Sequence, residues 1–502
     1  MGVIQKQSIK SSIFILMGFA LGAINIVLIA PKIISAELFG LTRIITDVGL
    51  TMATFCTFGA IPVIYKFFPF YKSFLPPRKN DLAFLTLLVC IIGFTVICIL
   101  GYCGKGLIIR KYSDKSPLFV EYYYLIYPFC LFMLLYTWLE SFSWSLKKAV
   151  LSNTLKEIMP RLIFTVLLGL FFAGLINKEV FLWLFSSAYL PPFIILFILL
   201  YRTGEFSLHT TVSPVTRRLK GRMVNFGLFL FGSQFLNLLS KTSDSIIIAA
   251  KSENGLTDTA VFTIATYIVT LMEVPQRSIT SISVPVLSES WRNKDMQNIS
   301  FIYHRSVSNL LIIGLSMLSI LTLNAHNMVA YLGKDYQGIE MVVIVLGLAK
   351  LIDLGTGTNS QIIGTSSYWR VDFTTNVVYT LLAIPLNFVL ITHYGMIGAA
   401  YAAILSQIIY NLMRFIFLWY KFQLQPYRWK HLLTVVLAVL ASLVAWLIPK
   451  QHNVIIDAFL RTSVFLVLFI PFIFKAQVSE EINNLLIKQW QQLSNKIKGS
   501  KK

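Results

Sequence analysis

Two long apolar stretches of the sequence each carry a lysine and an aspartate three residues apart. Such a pair is able to bind an anionic ligand or a coupling ion. The pairs are Lys241 with Asp244 and Lys350 with Asp353. A charged side chain is costly in hydrocarbon, so it normally faces a packed polar core or a water-filled cavity rather than lipid. Both pairs are therefore candidates for ligand or ion chemistry inside a membrane protein.

The first pair lies at the end of a polar stripe. Four residues follow one another at helical spacing: Gln234, Asn237, Lys241 and Asp244. Steps of three or four residues put all of them on one face of a helix. Lys241 lies about 28 Å along that helix from Arg222, in the outer third of the bilayer, where a lysine reaches water at low cost. A structural ion pair and a cavity lining both remain open for this stripe.

The second pair lies deeper in the bilayer. Lys350 is about 20 Å from the outer helix end near Tyr336, close to the midplane, where snorkelling is harder. The same helix continues into a polar and pliable inner half, which contains Gly355, Gly357, Asn359, Ser360 and Gln361. These features favour a functional role for Lys350 over an internal salt bridge with Asp353.

The eighth apolar stretch combines charges with a proline. Glu273, Pro275 and Arg277 lie about 20–27 Å from its outer end. Proline is tolerated in a membrane helix where neighbouring groups or water take up the freed backbone groups. Arg277 is placed either to reach cytoplasmic water or to bind a phosphate with two hydrogen bonds.

Polar residues also occur in the first two apolar stretches. Asn25 is a candidate cavity amide midway along the first. Arg43 and Asp47 stand four residues apart at the start of the second, where an ion pair at the helix entry is the favoured interpretation.

The composition indicates that membrane helices position these residues. The chain has 502 residues, of which 56% are hydrophobic and only 13% are charged, and its mean hydropathy is +0.72. Runs of about 20 apolar residues recur throughout, which indicates an all-α polytopic membrane protein. The net charge of +21 is spread over short loops, as in other membrane proteins, and does not indicate nucleic-acid binding. Catalytic motifs and long loops are absent from the sequence, so no enzymatic activity, cofactor or metal is expected.

Apolar windows predict about fourteen transmembrane helices. They lie at roughly 12–33, 43–66, 81–101, 121–146, 157–176, 179–201, 222–249, 259–283, 301–323, 338–364, 371–392, 396–419, 431–448 and 454–474. Loops on one face hold about 30 lysines and arginines against about 11 on the other, which predicts that both termini are cytoplasmic. The predicted organisation is an N-terminal six-helix lobe (1–202), a cytoplasmic linker (203–221), a second six-helix lobe (222–419), two additional helices (420–475) and a cytoplasmic amphipathic tail (476–502).

Four segments resemble the bacterial polysaccharide transporters, the O-antigen and capsule flippases of the multidrug/oligosaccharidyl-lipid/polysaccharide exporter superfamily. They are APKIISAELFGLTRIITDVGLTMATFCTFGAIPVIYKFFP (30–69), KTSDSIIIAA (241–250), YLGKDYQG (331–338) and TNSQIIGTSSYWRVDFTTNVVYTLLAIPLNFVLITHYGMIGAAYAAILSQ (358–407). The run YGMIGAAYA is the most specific of these. Its small residues Gly395, Gly398, Ala399 and Ala400 predict close packing at the start of the twelfth helix.

The resemblance implies an inner-membrane flippase with its two six-helix lobes arranged in a V. Such a protein moves an undecaprenyl-diphosphate-linked oligosaccharide to the periplasmic leaflet by alternating access. The resemblance also implies a cationic central cavity and, as partners, the lipid bilayer, a glycan polymerase and chain-length machinery.

The resemblance assigns roles to the polar residues. The basic cavity positions, expected to hold the diphosphate, are Arg43, Lys241, Arg277 and Lys350. The amides expected to hold sugar hydroxyls are Asn25, Gln234, Asn237 and Gln361. The carboxylates expected to couple transport to an ion, or merely to balance the basic residues, are Asp47, Asp244, Glu273 and Asp353.

Three other activities are alternatives. A lipid II flippase fits the fourteen-helix count. A cation-coupled drug antiporter of the same superfamily requires a carboxylate-rich cavity, whereas basic residues match or outnumber acids here. A membrane glycan polymerase or ligase usually needs a long extracytoplasmic loop, which the spacing of the apolar stretches leaves no room for.

Overall fold

The computed structural model describes residues 14, 17–481, 483–484 and 487, apart from the side chains of residues 233, 236, 237 and 281. Most of the predicted tail lies outside these residues. The helices in the first half are α1 (Met17–Ile33), α2 (Ala36–Cys56), α3 (Ala60–Phe74), α4 (Leu82–Cys103), α5 (Lys105–Tyr112), α6 (Pro117–Tyr122), α7 (Ile126–Ser145), α8 (Ala149–Phe172), α9 (Lys178–Ser186), α10 (Leu190–Tyr201) and α11 (Pro214–Lys251). Those in the second half are α12 (Gly255–Thr270), α13 (Glu273–Arg292), α14 (Met296–Leu323), α15 (Ala325–Leu332), α16 (Ile339–Gly355), α17 (Asn359–Thr365), α18 (Trp369–Tyr394), α19 (Met396–Phe422), α20 (Trp429–Trp446) and α21 (Val454–Ala476).

The prediction of an all-α, multi-pass membrane protein is confirmed. Within the described residues, nine helical segments are long and apolar enough to cross a membrane, or ten if α12 and α13 count as one bent span. Every predicted span overlaps a helix or a pair of consecutive helices. The observed number is consistent with about fourteen spans once shorter and broken helices are included.

Several predicted spans are broken rather than continuous. The second divides into α2 and α3, the eighth into α12 and α13, and the tenth into α16 and α17. The break in the tenth is fixed by Gly357, whose φ of +63° is disfavoured for residues with a side chain. A hydropathy window averages over such short interruptions, so it predicts one continuous helix where the backbone turns.

The chain forms two compact units, residues 1–264 and 265–502. In the first unit, α7 packs against α2, α3 and α10, and α11 packs against α2 and α3. Trp138 of α7 is fully buried, and its indole Nε1 donates a hydrogen bond to Thr86 Oγ1 at 3.1 Å. The predicted lobes, with their division at 203–221, remain a prediction.

In the second unit, α14 and α19 both pack against α16, and α18 packs along α19. The pair α20–α21 lies against α14. Phe465 and Phe469 of α21 are buried with their rings stacked 5.2 Å apart. They join a core with Leu311 and Ala441, so the two C-terminal helices are an integral part of this unit.

The close packing predicted at the start of the twelfth helix is confirmed. A Cβ atom on Gly398 of α19 would lie 2.1 Å from the carbonyl oxygen of Leu390 in α18. No side chain fits at that distance, so the backbones approach each other only because residue 398 is glycine.

We expect Gly398→Ala to lower the free energy of unfolding by about 2 kcal/mol, because the added methyl group forces α18 and α19 apart. Thermal unfolding of the purified protein in detergent measures this change. Gly169→Ala is the matched control, since a Cβ there meets no atom within 4 Å. Equal melting temperatures for the two variants would contradict the proposed contact.

Candidate functional site

A cluster of charged side chains connects α13 with α16. Lys350 Nζ lies 2.9 Å from Asp353 Oδ2 on its own helix and 3.1 Å from Glu273 Oε1 on α13. The lysine and the aspartate side chains are each only 18% exposed, and Glu273 is 32% exposed. The i,i+3 pair predicted from the sequence is therefore one part of a bridge between two helices.

Two further side chains of α13 extend this cluster. Arg277 Nη2 lies 2.9 Å from Glu273 Oε2, and Gln276 Nε2 donates a hydrogen bond of 3.1 Å to Asp353 Oδ2. The two cations and two carboxylates balance, so their charges sum to zero. Arg277 is the most exposed of these charged side chains, since 65% of its side-chain surface is accessible to solvent. We call Glu273, Gln276, Arg277, Lys350 and Asp353 the charged cluster.

Helix breaks position the charged cluster. Glu273 lies in the first turn of α13, directly after the break at residues 271–272, where the helix dipole favours a negative charge. Asp353 lies in the last turn of α16, where the dipole disfavours a carboxylate. Lys350 and Gln276 offset that cost through their direct contacts with Asp353.

The break between α16 and α17 is held by polar side chains. The buried Asn411 accepts hydrogen bonds at Oδ1 from Thr356 Oγ1 at 2.8 Å and from Asn359 Nδ2 at 3.0 Å. The Thr358 amide donates to Ser306 Oγ at 3.2 Å. Backbone groups freed inside a membrane protein need partners of this kind, so the break is a built feature of the second unit.

Another ion pair of this unit, outside the charged cluster, was not predicted. Arg414 of α19 is 3% exposed and forms a salt bridge with Asp372 of α18. Its Nε donates to Thr375 Oγ1 at 3.2 Å, and its guanidinium lies 3.8 Å from the centre of the Tyr410 ring. Residue 414 lies inside the predicted span 396–419, and a charged side chain within an apolar stretch was the available signal that it has a buried partner.

In the first unit, the predicted ion pair at the start of the second span is present. Arg43 Nε lies 2.9 Å from Asp47 Oδ2, and the aspartate side chain is only 3% exposed. Asp47 also contacts the side chain of Ser245 on α11. These contacts stabilise the packing of α2 against α11; a role in ligand binding remains a prediction.

Asn25 is fully engaged in helix packing. It lies in a π-helical segment of α1, where its Nδ2 donates to the Arg161 carbonyl at 2.8 Å. Its Oδ1 accepts a hydrogen bond from Thr165 Oγ1 at 2.9 Å. Both ends of the amide thus tie α1 to α8 in this conformation.

The remaining candidates lie on α11 and α17. Gln234 and Lys241 are exposed, and Ser243 Oγ lies 3.5 Å from Asp244 Oδ1. The side chain of Asn237 falls outside the described residues. Gln361 on α17 is half-buried. Ligand contacts of these residues remain predictions.

The chain matches a known protein family. A family model described as "Polysaccharide biosynthesis protein" matches residues 5–291, which is more than half of the chain. None of the curated protein sequences compared with the chain matches it significantly.

Solved structures share the fold over most of the chain. The lipid II flippase MurJ in an inward closed conformation aligns with a TM-score of 0.70 at 15% identity, covering 93% of this chain and 99% of MurJ. An inward-facing multidrug resistance MATE family transporter of the MOP superfamily aligns with a TM-score of 0.62 at 16% identity, covering 82% and 96%. A MOP superfamily transporter from Pyrococcus furiosus, whose binding pocket has reversed polarity, aligns at 0.51 with 13% identity, covering 83% and 95%. At identities this low, structural similarity establishes the fold but not the ligand.

Proposed function

Because the chain belongs to the polysaccharide biosynthesis protein family, we propose that it is a flippase for undecaprenyl-diphosphate-linked oligosaccharides. It moves repeat units of O-antigen, capsule or exopolysaccharide across the bacterial inner membrane by alternating access. Both termini are cytoplasmic in this proposal, as the distribution of lysine and arginine predicts. The fold shared with flippases and exporters of the MOP superfamily supports transport as the activity.

The charged cluster is the observation that carries this proposal. Arg277 presents an exposed guanidinium whose planar donors match two phosphate oxygens. The present partner of Arg277 is the carboxylate of Glu273. When a phosphate arrives, Arg277 therefore exchanges one anionic partner for another. Lys350, mostly buried behind Glu273, adds a second positive charge that attracts the diphosphate.

The carboxylates act as counter-ions in this mechanism. Glu273 and Asp353 both contact Lys350, so they keep the lysine charged while the site is empty. Gln361 and Gln234 remain proposed contacts for sugar hydroxyls, since amides donate and accept hydrogen bonds at once. The undecaprenyl chain stays in the bilayer, because its apolar surface has no partner in a polar site.

We expect deletion of the gene to cause lipid-linked oligosaccharide to accumulate on the cytoplasmic side and surface polysaccharide to disappear. Oxidation of the oligosaccharide by periodate, which does not cross the membrane, in inverted and right-side-out vesicles measures its sidedness. Re-expression of the wild-type chain restores export and is the control. Unchanged surface polysaccharide in a strain without a paralogue would exclude the proposed function.

A lipid II flippase is the second candidate, favoured by the extent of the structural similarity. The match to the lipid II flippase covers 93% of this chain, against 82% for the multidrug transporter. Expression during depletion of the host's lipid II flippase distinguishes the two candidates. Rescue of growth identifies lipid II as a substrate, whereas continued lysis together with restored polysaccharide export supports the oligosaccharide flippase.

A further inference from the structure

A cavity lies at one end of the helices of the second unit, away from the charged cluster. Its volume is about 740 Å³, and it lies where α14 and α20 begin and where α19 and α21 end. The charge distribution predicts that this end faces the cytoplasm. A cavity of this size holds a head group or a small molecule rather than a single ion.

Positive side chains dominate the walls of this cavity. Arg305, Arg428 and Lys430 line it, against one lining carboxylate, Glu480. Arg305 also pairs with Glu481, and Lys430 Nζ donates to the Gln477 carbonyl at 2.9 Å. Arg428 is exposed at the rim, and the three basic residues outnumber Glu480 and Glu481 together by one positive charge. The cavity therefore attracts an anion.

A smaller cavity adjoins the basic one. It measures about 290 Å³ and shares Phe301 and Arg305 with its larger neighbour. Its lining is divided between an apolar side (Ile279, Ile282, Val286, Phe301 and Ile302) and a polar side (Ser283, Asn298, Arg305, Ser306, Asn309 and Glu481). Ile282 is 69% exposed, and Trp429 at the rim of the basic cavity is 77% exposed. Exposed aromatic and aliphatic side chains at a membrane interface contact lipid, so the two cavities together suit an amphipathic ligand.

We infer that the two cavities bind an anionic glycerophospholipid of the cytoplasmic leaflet, distinct from the transported substrate. The phosphate head group occupies the basic cavity, and the start of one acyl chain lies along the apolar side of the smaller cavity. Basic pockets between membrane helices on the cytoplasmic side recognise anionic head groups in this way. A free phosphate ion leaves the apolar side of the smaller cavity unused. The chain's own residues 482–502 carry five lysines and no carboxylate side chain, so they do not complement the cavity's charge.

Titration of the purified full-length protein with phosphatidylglycerol, followed by native mass spectrometry, tests this inference. We expect Arg428→Gln combined with Lys430→Gln to weaken phosphatidylglycerol binding at least tenfold, since each basic residue at the surface adds attraction for an anionic lipid. Arg218→Gln combined with Lys220→Gln removes the same charges at the same spacing from the exposed start of α11 and is the control. We expect this control to keep its affinity within about twofold of wild type.

Three results would overturn the inference. They are unchanged phosphatidylglycerol affinity in the Arg428/Lys430 variant, equal binding of phosphatidylethanolamine, and full displacement of the lipid by inorganic pyrophosphate. The single variant Arg428→Gln, which changes only an exposed side chain, provides the same comparison if the double variant unfolds. Binding is measured without transport, so its outcome is independent of the proposed flippase activity.

Discussion

Arg277→Gln is expected to reduce export of the lipid-linked oligosaccharide at least tenfold while the protein remains folded. The guanidinium is 65% exposed, so loss of its ion pair with Glu273 costs at most about 1 kcal/mol of stability. Loss of a two-point contact to phosphate costs more, about 1.5–3 kcal/mol for hydrogen bonds to a charged group. Export is measured as surface polysaccharide restored to the deletion strain, normalised to the amount of protein in the membrane.

Arg292→Gln is the matched control for this variant. It removes an exposed arginine from the last turn of the same helix, and Arg292 is not part of the charged cluster. We expect wild-type export from it. Full export by Arg277→Gln at equal protein levels would show that this residue does not bind the diphosphate.

Lys350→Met separates the electrostatic role of the cluster from its structural role. This change leaves Glu273 and Asp353 without the cation that they share. We therefore expect it to lower both export and thermal stability. Arg277→Gln lowers export alone. The contrast between the two variants follows from burial, because the lysine side chain is 18% exposed.

The sequence was sufficient to predict the helices and four of the five residues of the charged cluster, all except Gln276, but only one of their contacts. Lys350 and Asp353 are three residues apart, so their contact follows from helix geometry alone. The contact of Lys350 with Glu273 joins residues far apart in the chain, and no local pattern encodes it. Apolar windows similarly overlap the observed helices but do not show the breaks, which depend on tertiary partners such as Asn411.

Asn25 and Arg414 show what the sequence alone leaves out. The cavity role of Asn25 stays a prediction, and the structure adds that both polar ends of its amide bind α8. Arg414 lies within a predicted span, and no local pattern indicated that it is buried against Asp372 of the preceding helix. In both cases the neighbouring helix decides the environment of the side chain, and hydropathy reports only on the residue's own helix.

The Arg414–Asp372 pair leads to the largest expected change in stability. We expect Arg414→Leu to lower the free energy of unfolding by about 3 kcal/mol, since breaking a buried ion pair leaves one charge uncompensated. Asp372 is only 22% exposed, and its other polar contact, with Ser360 Oγ at 2.9 Å, does not neutralise it. Thermal unfolding of the purified variant in detergent measures the loss.

The double variant Arg414→Leu/Asp372→Asn isolates the uncompensated charge from the lost packing. Because it removes both charges, we expect it to recover most of the stability that the single variant loses. Arg370→Leu, which removes an exposed arginine from the same helix as Asp372, is expected to change stability by less than about 0.5 kcal/mol. If the double variant melts at the same temperature as Arg414→Leu, the stabilisation by Arg414 comes from its packing on Tyr410 rather than from its charge.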